Sequence, residues 1–547
     1  MIVVRGANVV DGTGAPGRAA DVVFDEDGGV IVDVIEAGTG DGEVVDLDGL
    51  VLAPGFVDPH THYDAQVLWD PDLTPSSWHG VTSVVMGNCG FGIAPTRPAY
   101  REAIARTLEN VEGMSVDALI AGITWDFETF PEYLEAVEAK QPRLNVAAMV
   151  GHTPLRLYVM GDEAADRAAT TAEIGQMREL LGAALDAGAV GFASSRAPAH
   201  AGAWGKPVPS RLAEVTELHA LADALRERRQ GTLLITRGPD YDQAEIAQLA
   251  IETGRPITWT ALLATRGGSD VREAMQRSRS LGGDVWPQIA SRPVVFQVQL
   301  SEPAPLARVD AFAEVLSVPP AQRARYYRDP AWRDRARADT PRQWPRVWGR
   351  IYVAETASHS ELVDGPSMES LAAERGCDPL DVLCDIALDD DLATRFRVVI
   401  ANDDPEGIAY LLNDDRTLLG LSDAGAHASQ MCDAVFATFM LEHWVRETGT
   451  LSLEQAIRRM TSQPAQVFGL HARGLIAPGY AADLVAFDAA AVGVGPMERV
   501  YDLPAGADRL IADSRGIERV WVNGELIRDG GQPTRARPGR LLRGCPS

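Results

Sequence analysis

The sequence predicts an α/β fold, a (β/α)8 TIM-like barrel with a small β-sandwich built from both chain ends, and three observations lead there. Eight apolar runs of strand length recur between residues 55 and 423, interleaved with helical patterns. Short alternating strands with Gly/Asp turns fill the chain up to about Leu52, and the same grammar returns from Asp483 onward. Strands alternating with helices imply a parallel sheet with helices outside, and eight such units close a barrel.

The elements follow in order. Ile2–Val4, Asp21–Phe24, Val30–Ile35 and Glu43–Asp46 read as the amino-terminal strands. The barrel strands are Gly55–His62, Thr82–Cys89, Asn145–His152, Ala189–Ser195, Thr232–Arg237, Pro256–Leu263, Asp284–Ala290 and Thr417–Asp423. Helical periodicity marks Ala172–Ala187, Leu212–Arg228, Asp242–Glu252 and Ser452–Met460, the last opened by a Ser452/Gln455 capping box. Near the carboxyl end, Asp483–Phe487 precedes Gly516–Val522, an Asn523-Gly524 turn and Glu525–Arg528, which together make a hairpin. The expected domains are therefore 1–54 with 475–547 as the sandwich and 55–474 as the barrel, with insertions at about 91–143 and 301–416. In a barrel both insertions would leave the carboxyl ends of strands, as covers over the active face or as packing ornament.

Composition narrows the function classes. At 46% hydrophobic and 23% charged residues the chain is an ordinary globular protein. No apolar run reaches the roughly 18 residues of a membrane span, and the first residues lack a basic head with an apolar core, so the expectation is a cytoplasmic protein. A formal charge of -27 repels phosphate backbones and anionic membranes, leaving neither nucleic acid nor membrane as an expected partner. The arginines near 323–350 alternate with aspartates, as on a salt-bridged helical face. Five widely spaced cysteines without a CxxC pair indicate no disulfide framework, and Lys140 and Lys206 are the only lysines.

The chemistry gathers at strand ends. In Val57-Asp58-Pro59-His60-Thr61-His62 side chains alternate, so Asp58, His60 and His62 share one face and two imidazoles can converge on a divalent metal such as zinc. Gly87-Asn88-Cys89-Gly90 ends the second strand, where Cys89 is a metal ligand, a nucleophile or a small buried hydrophobe. The eighth strand delivers Asp423 in LSDAGAH, either as a metal ligand that takes a proton from an activated water or as a helix N-cap. His152, Arg196 and His427 can face the same cavity: Arg196 to clamp a substrate carboxylate, and His152 or His427 to polarise a carbonyl, with structural hydrogen bonding as the plain alternative. His79, His200, His219, His359, His443 and His471 read as surface or helix residues.

In these segments the chain resembles the amidohydrolase superfamily, in the branch of the N-acyl-D-amino-acid deacylases (D-aminoacylases). APGFVDPHTH, HGVTSVVMGNCGFG, Gly151-His152 leading to Arg156, GFASSR, LSDAGAH, TSQPAQVFGL and GLIAPGYAADLVAFD carry the likeness over nearly the whole chain. The resemblance implies a metal-activated water attacking an amide C–N bond, Asp423 shuttling the proton and Cys89 as a ligand. Two departures stand out. The family expects histidine at the ends of strands five and six, where this chain has Leu234-Ile235-Thr236-Arg237-Gly238 and Thr258-Trp259-Thr260-Ala261-Leu262. The superfamily's carboxylated lysine on strand four is also missing from AVGFASSR. What remains is His60, His62, Cys89 and Asp423, enough to hold one Zn2+ per chain. The reading is an amide hydrolase, with an N-acyl amino acid as one candidate substrate. The alternatives are a cyclic amide or imide hydrolase, a deaminase, or a non-catalytic barrel kept for binding or assembly; a homo-oligomer is left open.

Overall fold

The computed structural model describes residues 1–303, 306–307, 309–343 and 347–546, without the side chains of 341–343. Two compact units result. The larger holds residues 1–291, 404–428 and 432–547; the smaller holds 292–403 and Ser429–Met431.

The larger unit contains the expected parallel barrel. Its strands are β1 Phe56–Asp58, β2 Val81–Met86, β3 Asn145–Gly151, β4 Gly191–Ser195, β5 Thr232–Thr236, β6 Ile257–Thr260, β7 Val285–Ile289 and β8 Leu418–Leu419, neighbours in sequence order. Closure comes just past the strand ends, where Thr61 bridges Ala424 and the His62 amide donates to the Ala424 carbonyl at 2.7 Å. That contact sets the extension of β1, which carries the histidines, beside the extension of β8, which carries Asp423. Strands such as β2 and β3 are buried throughout because helices cover the barrel outside and side chains fill its inside. The four helices read from periodicity are present as Thr171–Asp186, Val215–Arg228, Gln243–Thr253 and Leu453–Met460, and the Ser452/Gln455 capping box is formed.

Both chain ends build one ten-stranded sheet beside the barrel. Val51–Pro54 runs antiparallel to Leu484–Phe487, pairing Pro54 with Leu484, so the chain leaves and re-enters the barrel at one place. Phe24 and Trp521 meet edge to face at 6.3 Å within its core. The Asn523-Gly524 turn has φ of 48° and 84°, the left-handed pair a two-residue hairpin needs.

The region after β2 forms three helices, Arg101–Glu112, Val116–Gly122 and Phe130–Ala139, in the larger unit. The smaller unit has its own antiparallel sheet, Val294–Gln299, Arg395–Ala401 and Ile351–Glu355, and its own core around Phe312, Tyr327 and Trp332. Several of its arginines are ion-paired: Arg333 with Asp381 and Asp385, Arg335 with Glu314, Arg337 with Asp381. The alternation of Arg and Asp is thus a salt-bridged surface. Among the described residues, no helix is long and apolar enough to cross a membrane.

Candidate active site

Three strand ends supply one donor cluster. The chain beyond β1 stays extended, so His60 and His62 project to one side and their rings lie 5.3 Å apart. After β2 the backbone turns at Gly87, whose φ of 84° and close approach to the Met149 carbonyl, 2.2 Å from any added Cβ, leave room for glycine alone. Cys89 then takes φ of 54° and brings Sγ to 3.3 Å from His60 Nε2. Asp423, also at φ of 48°, caps no helix; its Oδ1 lies 3.1 Å from His60 Nε2 and 3.5 Å from His62 Nε2. The two histidines and Cys89 are buried, with donor atoms mutually within 4.8 Å, while the Asp423 side chain is 26% exposed and marks the open side.

The three short spacings, 3.1, 3.3 and 3.5 Å, are near those of donors around one divalent ion. Around an ion with bonds of about 2.0–2.3 Å, tetrahedral donors stand roughly 3.3–3.8 Å from one another. Moreover, His62 Nε2 is buried and makes no hydrogen bond, a state that a metal would relieve. The electrostatics point the same way. Burial opposes charge on His60, yet Cys89 and Asp423 outweigh it and push its pKa up to about 10. Burial raises the Cys89 thiol, but the two imidazoles bring it down to about 6. Asp423 is likewise held well below the usual carboxylate range by His60 and His62, against the effect of burial.

The opposite wall carries neutral groups. Where histidines were expected after β5 and β6, the Thr260 hydroxyl donates to that of Thr236 at 3.0 Å. Gln288 on β7 reaches His60 Nδ1 through Oε1 at 2.5 Å and donates from Nε2 to Thr258 at 2.9 Å. Neither lysine serves as a bridge: Lys206 pairs with Asp166 at 2.8 Å, and Lys140 follows the helix Phe130–Ala139.

The other expected residues separate. His427 stays in the pocket, close enough to feel the charges of Asp423 and His62, and its amide donates to the Glu112 carbonyl at 2.5 Å. His152 is fully buried with both ring nitrogens taken, by Ser194 at 2.9 Å and Glu217 at 2.8 Å, and Arg156 pairs with the same Glu217. It is therefore a framework residue, not a carbonyl-polarising one. Arg196 needs a similar correction: its guanidinium is spent on the carbonyls of Ser210 and Ala213 and on Asp240, so it is not an open carboxylate clamp.

Two histidines read as surface or helix residues are misplaced by that reading. His79 is buried, held by Thr438 at 2.8 Å and the Ala512 carbonyl at 2.9 Å. His200 lies beside the cluster, pinned by Ser195 at 2.7 Å and packed on Phe91; burial and the charges of His62 and His427 lower its pKa to about 4. Glu112, on the insertion helix, was missed altogether: its Oε2 is 3.4 Å from His62 Nε2. The only local cue for Glu112 was the glycine behind it, a common helix stop, and His200 had none.

The amidohydrolase family profile matches residues 43–528. A D-aminoacylase of Alcaligenes xylosoxydans xylosoxydans is 29% identical, aligning with 99% of this chain and 97% of its own. An N-acyl-D-aspartate deacylase of the same organism is 30% identical over 99% of this chain and 94% of its own. Among solved structures, an N-acyl-D-glutamate deacylase from Bordetella bronchiseptica, complexed with zinc and a phosphonate mimic of the tetrahedral intermediate, superposes with a TM-score of 0.67 at 28% identity, covering 99% of both chains.

Proposed function

This chain belongs to the amidohydrolase family, and from that premise we propose that it is a zinc-dependent deacylase of N-acyl D-amino acids, with one metal per chain. The observation that carries the reading is the buried set His60, His62 and Cys89, donor atoms within 4.8 Å of one another, beside Asp423, whose Oδ1 lies 3.1 and 3.5 Å from the two imidazoles where the barrel strands end. A divalent ion held there supplies a lowered pKa for a coordinated water, from 15.7 towards roughly 7.

The residues do the rest. Asp423, partly exposed on the open side, takes the proton of the attacking water and passes it to the departing amine. His427 faces the same space and is the candidate donor to the substrate carbonyl oxygen. The Thr236–Thr260 wall offers no charged donor for a second ion, which supports a single metal.

Metal analysis combined with a hydrolysis screen tests the proposal. Zinc-replete protein is expected to carry one zinc per chain and to cleave N-acyl D-amino acids, with the relatives' acyl-aspartate and acyl-glutamate first in the panel. His60→Ala should lose both metal and turnover. Metal-free wild type would overturn the site, and activity confined to cyclic imides would overturn the substrate.

A further inference from the structure

We propose that Glu112 is itself a ligand of the metal, so that the helix inserted after β2 adds a donor to the set. The inference rests on the metal site proposed above and names one more residue of it.

Glu112 is the last residue of the helix Arg101–Glu112 and its side chain is 5% exposed. Every ordinary term disfavours a carboxylate there. Burial strips its hydration, and the carboxyl end of a helix carries the negative pole of the backbone dipole. Among the described residues no arginine or lysine pairs with it and no N–H or O–H donates to it; the recorded partner is His62, at 3.4 Å from Oε2 to Nε2. Cys89 and Asp423, both acidic, are near enough to repel it further. The cationic partner the chain offers is thus the single His62 imidazole, whose Nε2 is buried and makes no hydrogen bond.

Geometry points to the ion that His62 would hold. Glu112 Oε2 lies 3.4 Å and Asp423 Oδ1 3.5 Å from His62 Nε2, each the separation of two donors around one zinc. The helix end is anchored for this purpose. Gly113, at φ of 61°, turns the chain, and an added Cβ would come within 2.9 Å of His427 Nδ1. The His427 amide meanwhile donates to the Glu112 carbonyl, tying the helix end to the loop that carries Asp423. The two carboxylates are thus held in register by backbone, one from the insertion and one from the eighth strand.

The test uses the full chain, stripped of metal and titrated with Zn2+ against a chromophoric chelator, with Co2+ as a spectroscopic probe. Glu112→Gln, folded by circular dichroism, should bind zinc on the order of tenfold or more weakly and shift the cobalt d–d bands. Zinc affinity and cobalt spectrum both unchanged would overturn the assignment while leaving the wild-type site intact. Should the Gln variant not fold, Glu112→Asp carries the test, since an oxygen drawn back by one methylene must alter the cobalt spectrum of a true ligand. If wild type binds neither ion, the metal site as a whole falls, and with it this inference.

Discussion

His60 Nδ1 lies 2.5 Å from Gln288 Oε1, a bond that spans the barrel from the first strand to the seventh. Because Gln288 Nε2 donates to Thr258, its oxygen faces the ring, so Nδ1 carries the proton and Nε2 is turned toward Cys89 and Asp423. A neutral amide thus orients the imidazole of the proposed metal site where a carboxylate often would.

Replacing that amide therefore weakens the site without removing a donor. Gln288→Leu is expected to lower zinc affinity by about 10–100-fold while the protein stays folded. Chelator competition beside a thermal melt checks it, and wild-type affinity would show that His60 needs no such support.

Asp423 stands between the two imidazoles and the open side of the pocket. Asp423→Asn keeps the size of the side chain and removes its basicity, so turnover on an identified substrate should fall by roughly 10²–10⁴. Steady-state kinetics with metal content measured in parallel separates lost proton transfer from lost zinc.

The turn that presents Cys89 makes a stability prediction. At Gly87 an added Cβ meets the Met149 carbonyl at 2.2 Å, whereas at Gly254, with φ of 61°, it meets nothing within 4 Å. Gly254→Ala should cost about 1 kcal/mol, from the left-handed backbone alone, and Gly87→Ala clearly more. Denaturant midpoints of the two variants give the comparison, and equal values would refute the close-approach argument.

The buried group of His152, Glu217 and Arg156 predicts how the protein responds to acid. Burial holds His152 below its ordinary 6.5, and Glu217 lies below its ordinary 4.5 because His152 and Arg156 outweigh its burial. Both folded values are depressed, so the unfolded chain binds more protons and stability is lost as pH falls through these values. The contribution of this group to the unfolding free energy should decline from about pH 6.5 downward and more steeply below about 4.5, read as the difference between wild type and a variant lacking it. Glu217→Gln should lose the steeper part, and it should be less stable at neutral pH by about 3–5 kcal/mol, since Arg156 is left buried without its partner.

How much of this was legible follows from the range of the forces involved. The barrel and the paired chain ends were readable because periodicity and turn residues act over a few positions: His60 and His62 share a face through strand alternation alone, and the Asn523-Gly524 turn dictates its hairpin. The chain also showed that strands five and six end without the histidines that the family resemblance implies. It could not show that Thr236 and Thr260 bond to each other there, that Asp240 occupies Arg196, or that Glu112 reaches His62. Those pairings join residues brought together by barrel closure and by an insertion folding back, with no local pattern recording them. Local covalent geometry determined which donors each strand end offers, and only the tertiary structure decided which neighbour each donor meets.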